Sequence, residues 1–148
     1  MERLREKYNS ACKALQTLEE IIQDYERNKI QSNIFTDSKI NHEKFVKYLR
    51  DSLIQRFEYT FDIFWKYMKL YLERVEGIKF EVSSPKRLFR QLFQLEFIDE
   101  NQTKIALKMV DHRNLTTHTY HEGIAEDISN QIPIYFKLIQ HILNKASI

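Results

Sequence analysis

Only two glycines and two prolines occur among the 148 residues, so the chain is short of the residues that make tight turns and interrupt helices. That scarcity favours long helices, and the expected fold class is all-α. A single cysteine, Cys12, excludes an intrachain disulfide framework; its place in an amphipathic pattern reads as a buried or half-buried thiol, which suits a reducing compartment. No apolar run approaches the roughly 20 residues that span a bilayer, and Met1-Glu-Arg-Leu-Arg5 opens an amphipathic helix rather than a signal peptide. A cytoplasmic protein with no membrane contact is expected. Charge of one sign is missing too: 23 Lys and Arg against 21 Asp and Glu leave a net +2, too little to attract nucleic acid in general. Any polyanion must be bound by a local patch.

What the chain does contain is helical periodicity over one domain's length, read as a single domain over residues 1–148. Leu4, Tyr8, Ala11, Leu15, Leu18, Ile22 and Tyr25 alternate by four and three, one stripe of a first helix. The polar stretch Asn28 to Asn41 reads as a connection. Val46, Leu49, Leu53, Phe57, Phe61, Phe64, Met68, Tyr71 and Val75 mark a long second helix, the expected central pillar, ending near Gly77. Ser83-Ser84-Pro85 should start a third helix, with a hydroxyl to cap it and Leu88, Leu92 and Leu95 facing inward. Asp99-Glu-Asn-Gln102 resembles a capping box, opening a fourth helix through Ile105, Leu107 and Val110. A last helix carries Ile124, Ile128, Ile132, Tyr135, Ile139 and Ile142, with Pro133 expected to kink it or mark a late start. Together these predict an antiparallel up-and-down four-helix bundle with an additional helix. Phe45, Ile54 and Tyr67 lie off the main stripe of helix two; so wide an apolar surface predicts a subunit interface and a homodimer.

Chemistry concentrates in Arg113-Asn-Leu-Thr-Thr-His-Thr-Tyr120. Arginine is a fixed cation suited to phosphate, and histidine titrates nearest neutrality, so the pair can hold a phosphodiester and move a proton beside it. On a continuous helix, Leu107, Val110, Asn114 and His118 share one stripe and should face protein or a cleft, with Arg113 about 100° around the axis. Taken singly, an Arg, Asn or His on a helix is more often a surface residue or a satisfied polar contact; the clustering argues otherwise. His112, His118 and His121 invite a metal reading, since His118 and His121 are three apart, but apart from Asp111 and Glu122 no Cys or acid has a recognised spacing with them, so neither metal nor other cofactor is expected.

The run Ile54-Gln-Arg-Phe-Glu-Tyr-Thr-Phe-Asp-Ile-Phe-Trp-Lys66, then Ser84-Pro85, then Asp111-His-Arg-Asn-Leu-Thr-Thr-His-Thr-Tyr120, resembles the nucleotidyltransferase substrate-binding protein family of the HEPN superfamily. The likeness runs in order from about Leu53 to the end, its Arg-Asn-x-x-x-His-x-Tyr core being fairly specific. One departure is Ala106, where relatives often carry Trp, and it bears on local packing. The resemblance implies a HEPN-like helical bundle, a homodimer, and a small nucleotidyltransferase encoded nearby as partner. It also implies a type VII-like toxin and antitoxin pair, in which the HEPN member is a metal-independent ribonuclease. Arg113 and His118 would then be the catalytic pair, Asn114 would orient the site across the dimer cleft, and the partner would adenylylate Tyr120 to silence RNA cleavage. A non-catalytic subunit that binds substrate or nucleotide for the nucleotidyltransferase is the second reading, and a helical adaptor the third. No RRM, KH or OB signature names an RNA sequence.

Overall fold

The computed structural model describes residues 1–30, 39–80 and 84–148. Within them the periodic segments become α1 (Glu2–Ile30), α2 (Lys39–Arg74), α3 (Pro85–Gln94), α4 (Glu100–Asn114) and α5 (Glu122–Lys145), with a short 3-10 turn at Thr116–His118 between the last two. Most of the connection read over Asn28–Asn41, and Ser83 of the third helix's start, lie outside the described residues.

Cross-helix contacts give the topology. Thr60 on α2 donates to the Ala14 carbonyl on α1, and the His42 ring meets the Asn28 carbonyl, so rising numbers on one helix meet falling numbers on the other: the pair is antiparallel. Asp62 and Glu58 meet Arg113 and Thr116, so α4 also runs against α2. Arg50 reaches Glu122 while Tyr67 donates to the Ala146 carbonyl, so α5 runs parallel to α2. Helices α1, α2, α4 and α5 thus form the up-and-down four-helix bundle, and α3 is the additional helix, packed on α2 and α4.

Helix α2 touches every other helix, the central pillar that its periodicity predicted. Phe57, Phe61, Phe64 and Tyr67 are wholly buried, and their rings pack on Tyr135, Phe89, Tyr8 and Tyr71. This width corrects one expectation. Ile54 and Tyr67 lie off the main stripe because neighbours flank α2 on several sides within one chain; both are buried at home, and only Phe45 stays exposed. Ile54 and Tyr67 therefore belong to the core of one chain rather than to a subunit interface.

Helix ends follow local chemistry. Asp99 caps α4 through the Gln102 amide at 2.7 Å while the Asp99 N–H donates to the Gln102 side chain at 2.9 Å, the reciprocal pair that the sequence predicted. Ser84 occupies the cap position before Pro85, but its hydroxyl makes no capping bond, contrary to expectation. Leu95 is only half-buried; Phe89 takes its expected place beside Leu88 and Leu92. Helix α3 closes with Phe97 N–H on the Leu92 carbonyl and Glu96 N–H on Phe93, placing Glu96 at φ +63°, a left-handed position normally given to glycine. Helix α2 stops at Arg74 and the chain turns through Gly77 at φ +70°, leaving Val75 exposed rather than on the buried stripe. Pro133 does not mark a late start: α5 begins at Glu122 and continues through it. Ala106 is fully buried beside Met109 and Val110 on the inner face of α4. No helix among the described residues is long and apolar enough to cross a membrane.

Candidate functional site

Helix α4 does not run on to His118. At its end the Leu115 N–H is shared between the Asp111 and His112 carbonyls, tightening the helix into the 3-10 turn of Thr116–His118. The threonines favour this break, since their hydroxyls offer the backbone local partners other than the helix ladder. Thr116 does so, donating to the Arg113 carbonyl at 2.9 Å. The stripe expected through Leu107, Val110, Asn114 and His118 is therefore broken, and Asn114 and His118 are exposed rather than turned into the protein. The inward face continues instead from Ala106, Met109 and Val110 to half-buried Arg113.

Arg113 points across to α2. Its Nε and Nη2 donate to the two carboxylate oxygens of Asp62 at 3.0 and 2.9 Å, a fork on a planar acceptor. Nη2 also lies 3.6 Å from Glu58, and Nη1 donates to Thr116 at 3.3 Å. The Thr116 hydroxyl also lies 2.7 Å from Glu58, so its single proton is shared between that carboxylate and the Arg113 carbonyl. The hydrogen bond to Asp62, with the charges of Asp62 and Glu58, raises the arginine pKa still further above its ordinary value, so Arg113 is a permanent cation. Two carboxylates around one guanidinium give this cluster a formal charge of −1.

His118 and Tyr120 stand on the solvent side of the turn. The Tyr120 hydroxyl is 3.4 Å from His118 Nδ1, the two rings meet edge to face at 5.9 Å, and Tyr120 packs on His121 at 4.4 Å while remaining 74% exposed. Among the described residues no hydrogen bond or ion pair joins Arg113 to His118. The third nearby histidine has another role. His112 is half-buried and bonds the hydroxyl of Tyr135 at 2.7 Å. Burial lowers the imidazole's pKa, aided by Lys108, and raises that of Tyr135, so a protonated phenol donates to a neutral ring. The segment is pinned at both ends, by Lys86 on Asp111 at 2.7 Å and by Arg50 on Glu122 at 2.9 Å. Among the described residues no group of three or more metal-ligating side chains forms.

The sequence matches a known family model, "Nucleotidyltransferase substrate binding protein like", over residues 6–147. The chain belongs to that family. A crystal structure of ttk003001694 from Thermus thermophilus is similar at 34% identity and TM-score 0.72, covering 93% of this chain and 99% of the other. The Haemophilus influenzae protein HI0074, described as revealing the fold of a substrate binding domain of a nucleotidyltransferase, shares the fold at TM-score 0.65 and 19% identity, over 89% of this chain and 98% of that one. No curated protein matches by sequence.

Within the family frame, the residues that sequence reading missed are Glu58, Asp62 and Thr116. One signal was present: two acids four apart on a helix otherwise rich in Phe repel each other and call for a cation. Which cation they meet depends on a contact spanning 51 positions, beyond any local pattern.

Proposed function

We propose that the chain is the cytoplasmic partner of a nucleotidyltransferase and a metal-independent ribonuclease, silenced when that partner nucleotidylates Tyr120. The supporting observation is the exposed Tyr120 hydroxyl 3.4 Å from His118 Nδ1, just beyond the helix end that carries Arg113. In cleavage, His118 is the base for a ribose 2′-hydroxyl, Arg113 offsets the charge that builds on phosphorus, and Asn114 orients the group; two copies of the chain complete the cleft as a homodimer. In silencing, the Tyr120 oxygen bonds to the α-phosphorus of a nucleoside triphosphate, pyrophosphate leaves, and His118 accepts the phenol proton. The bulky nucleotide then sits against the base it disables.

A second reading, a non-catalytic binding subunit of the nucleotidyltransferase, draws on the saturation of Arg113 by Asp62, Glu58 and Thr116. The test is cleavage of a mixed RNA pool by wild type and His118→Ala, with chelator present and mass spectrometry verifying unmodified Tyr120. Activity lost only in the variant supports the ribonuclease; two inert proteins overturn it in favour of the binding subunit. Tyr120→Phe should cleave like wild type and resist silencing by the partner.

A further inference from the structure

A formal charge of −1 around Arg113 repels a phosphodiester strand, so attraction has to come from another part of the surface. The best supply is close by on the same helix. Lys66 follows Asp62 by four positions on α2, and four apart is the spacing of neighbours on one helix face. Lys66 and Lys69 of α2, with Arg3 and Lys7 of α1, line a groove of about 450 Å³ around Trp65, Leu70 and Glu73. Four cations face one carboxylate there, a local +3 in a chain whose total is +2.

Two features separate this groove from other cationic places on the surface. None of its four cations makes an ion pair or hydrogen bond among the described residues. By contrast, Lys47 and Arg50, which line a second basic pocket beside Tyr25, are already held by Glu122 at 3.5 and 2.9 Å. The groove also holds the chain's single tryptophan, half-buried and packed on the core, so its ring is fixed in advance. Basic side chains tracking a strand beside an aromatic face are what sequence-tolerant recognition of single-stranded nucleic acid requires. An acidic protein surface would use the cations and leave the indole unused. The cations come as pairs four and three apart, on the scale of about 5–6 Å between neighbouring Cβ atoms, which suits successive phosphates.

We propose that the groove between α1 and α2 binds a segment of single-stranded RNA, with one base stacked on Trp65 and its phosphates on Arg3, Lys7, Lys66 and Lys69. This rests on the ribonuclease reading and extends it: the strand is held by uncommitted cations, the nearest of them one turn from Asp62, and the site at the end of α4 acts on the portion that reaches it.

The test uses the full chain and a short, fluorescently labelled, 2′-O-methylated RNA, which binds but cannot be cleaved through its 2′ oxygen. Binding is read by anisotropy across a salt series and by the emission of Trp65. Wild type should bind with quenching of the indole. The double variant Lys66→Ala, Lys69→Ala should lose at least about tenfold in affinity, and its slope of log affinity against log salt should shrink by about 1.4, two phosphate contacts at about 0.7 each on a single strand. Lys66 is exposed and Lys69 half-buried, and an unchanged far-ultraviolet circular dichroism spectrum verifies folding. Equal binding by the double variant overturns the proposal, as does displacement of the RNA by polyglutamate at equal charge, which would assign the groove to an acidic protein. His118→Ala separates this proposal from the one it rests on: it should bind like wild type while losing cleavage. If wild type binds through the groove but never cleaves, the ribonuclease reading fails and the groove stands.

Discussion

Replacing Asp62 by Asn tests whether the α2 carboxylates hold Arg113 or merely lie near it. The native fork has two bonds, at 3.0 and 2.9 Å, on a guanidinium whose side chain is 22% exposed. A hydrogen bond to a charged group contributes about 1.5–3 kcal/mol when shielded, whereas fully exposed ion pairs contribute about 0.2–1 kcal/mol. Asp62 is 39% exposed, which places the pair between these limits. Asparagine keeps one acceptor oxygen and relieves the repulsion between Glu58 and Asp62, which amounts to about 0.2–0.5 kcal/mol for like charges four apart. The expected net loss is about 1 kcal/mol, or roughly 2–4 °C in melting temperature for a domain of this size.

A double-mutant cycle isolates the interaction. Asp62→Asn, Arg113→Met and the double variant are unfolded in urea, and the non-additive part should be about 1–1.5 kcal/mol, shrinking in high salt. Arg113→Met alone should cost more than Asp62→Asn, because it leaves Glu58 and Asp62 facing each other without a counter-charge. A coupling near zero would refute the clamp and return Arg113 to the status of a surface residue.

Two further outcomes follow from helix ends and burial. Glu96→Gly should stabilise the fold by about 0.5–1 kcal/mol in urea unfolding, since a left-handed non-glycine residue costs about 1–2 kcal/mol and glycine's freer unfolded chain returns part of the gain; a loss would mean that the Glu96 side chain has a role of its own. For His112 the folded pKa lies below the unfolded value of about 6.5, so protons bind the unfolded chain more readily. Its neutral ring thus favours the fold above that value, and the advantage is lost as pH falls through the folded pKa. The urea midpoint should drop between about pH 7.5 and 5.5, less steeply in His112→Gln; parallel profiles would mean that another group carries the acid sensitivity.

Local periodicity made the bundle readable and left its lateral contacts unread. The α1 stripe, the Asp99 capping box and the Gly77 turn depend on residues within one or two turns of each other, so spacing reported them faithfully. Periodicity failed where a helix has neighbours on several sides: Ile54 and Tyr67 looked surplus to one seam because α2 serves more than one. It failed again at Leu115, where a helix of allowed composition gives way to a 3-10 turn through hydrogen bonds that spacing cannot foresee. Tyr67 shows the same limit in the core, since its hydroxyl reaches a carbonyl 79 positions away.

The division of labour among like residues follows from these same contacts. Three histidines lie within ten positions, and sequence offers no ground for ranking them by role. Burial settles His112 as a neutral acceptor for the Tyr135 phenol, a structural duty in the bundle. The break at Leu115 leaves His118 exposed, where it meets Tyr120. Arg113, by contrast, faces solvent only in part, and any phosphate that reaches it must displace a carboxylate. Such a phosphate gains only the difference between two anions competing for one fork, a far smaller driving force than a free arginine would offer. On the proposed ribonuclease reading, affinity for a strand is better supplied elsewhere, and Arg113 contributes chiefly when charge develops on phosphorus, where a phosphate competes best with Asp62. On this argument Asp62→Asn should strengthen ground-state anion binding more than it speeds cleavage, and a variant that gained in rate alone would contradict it.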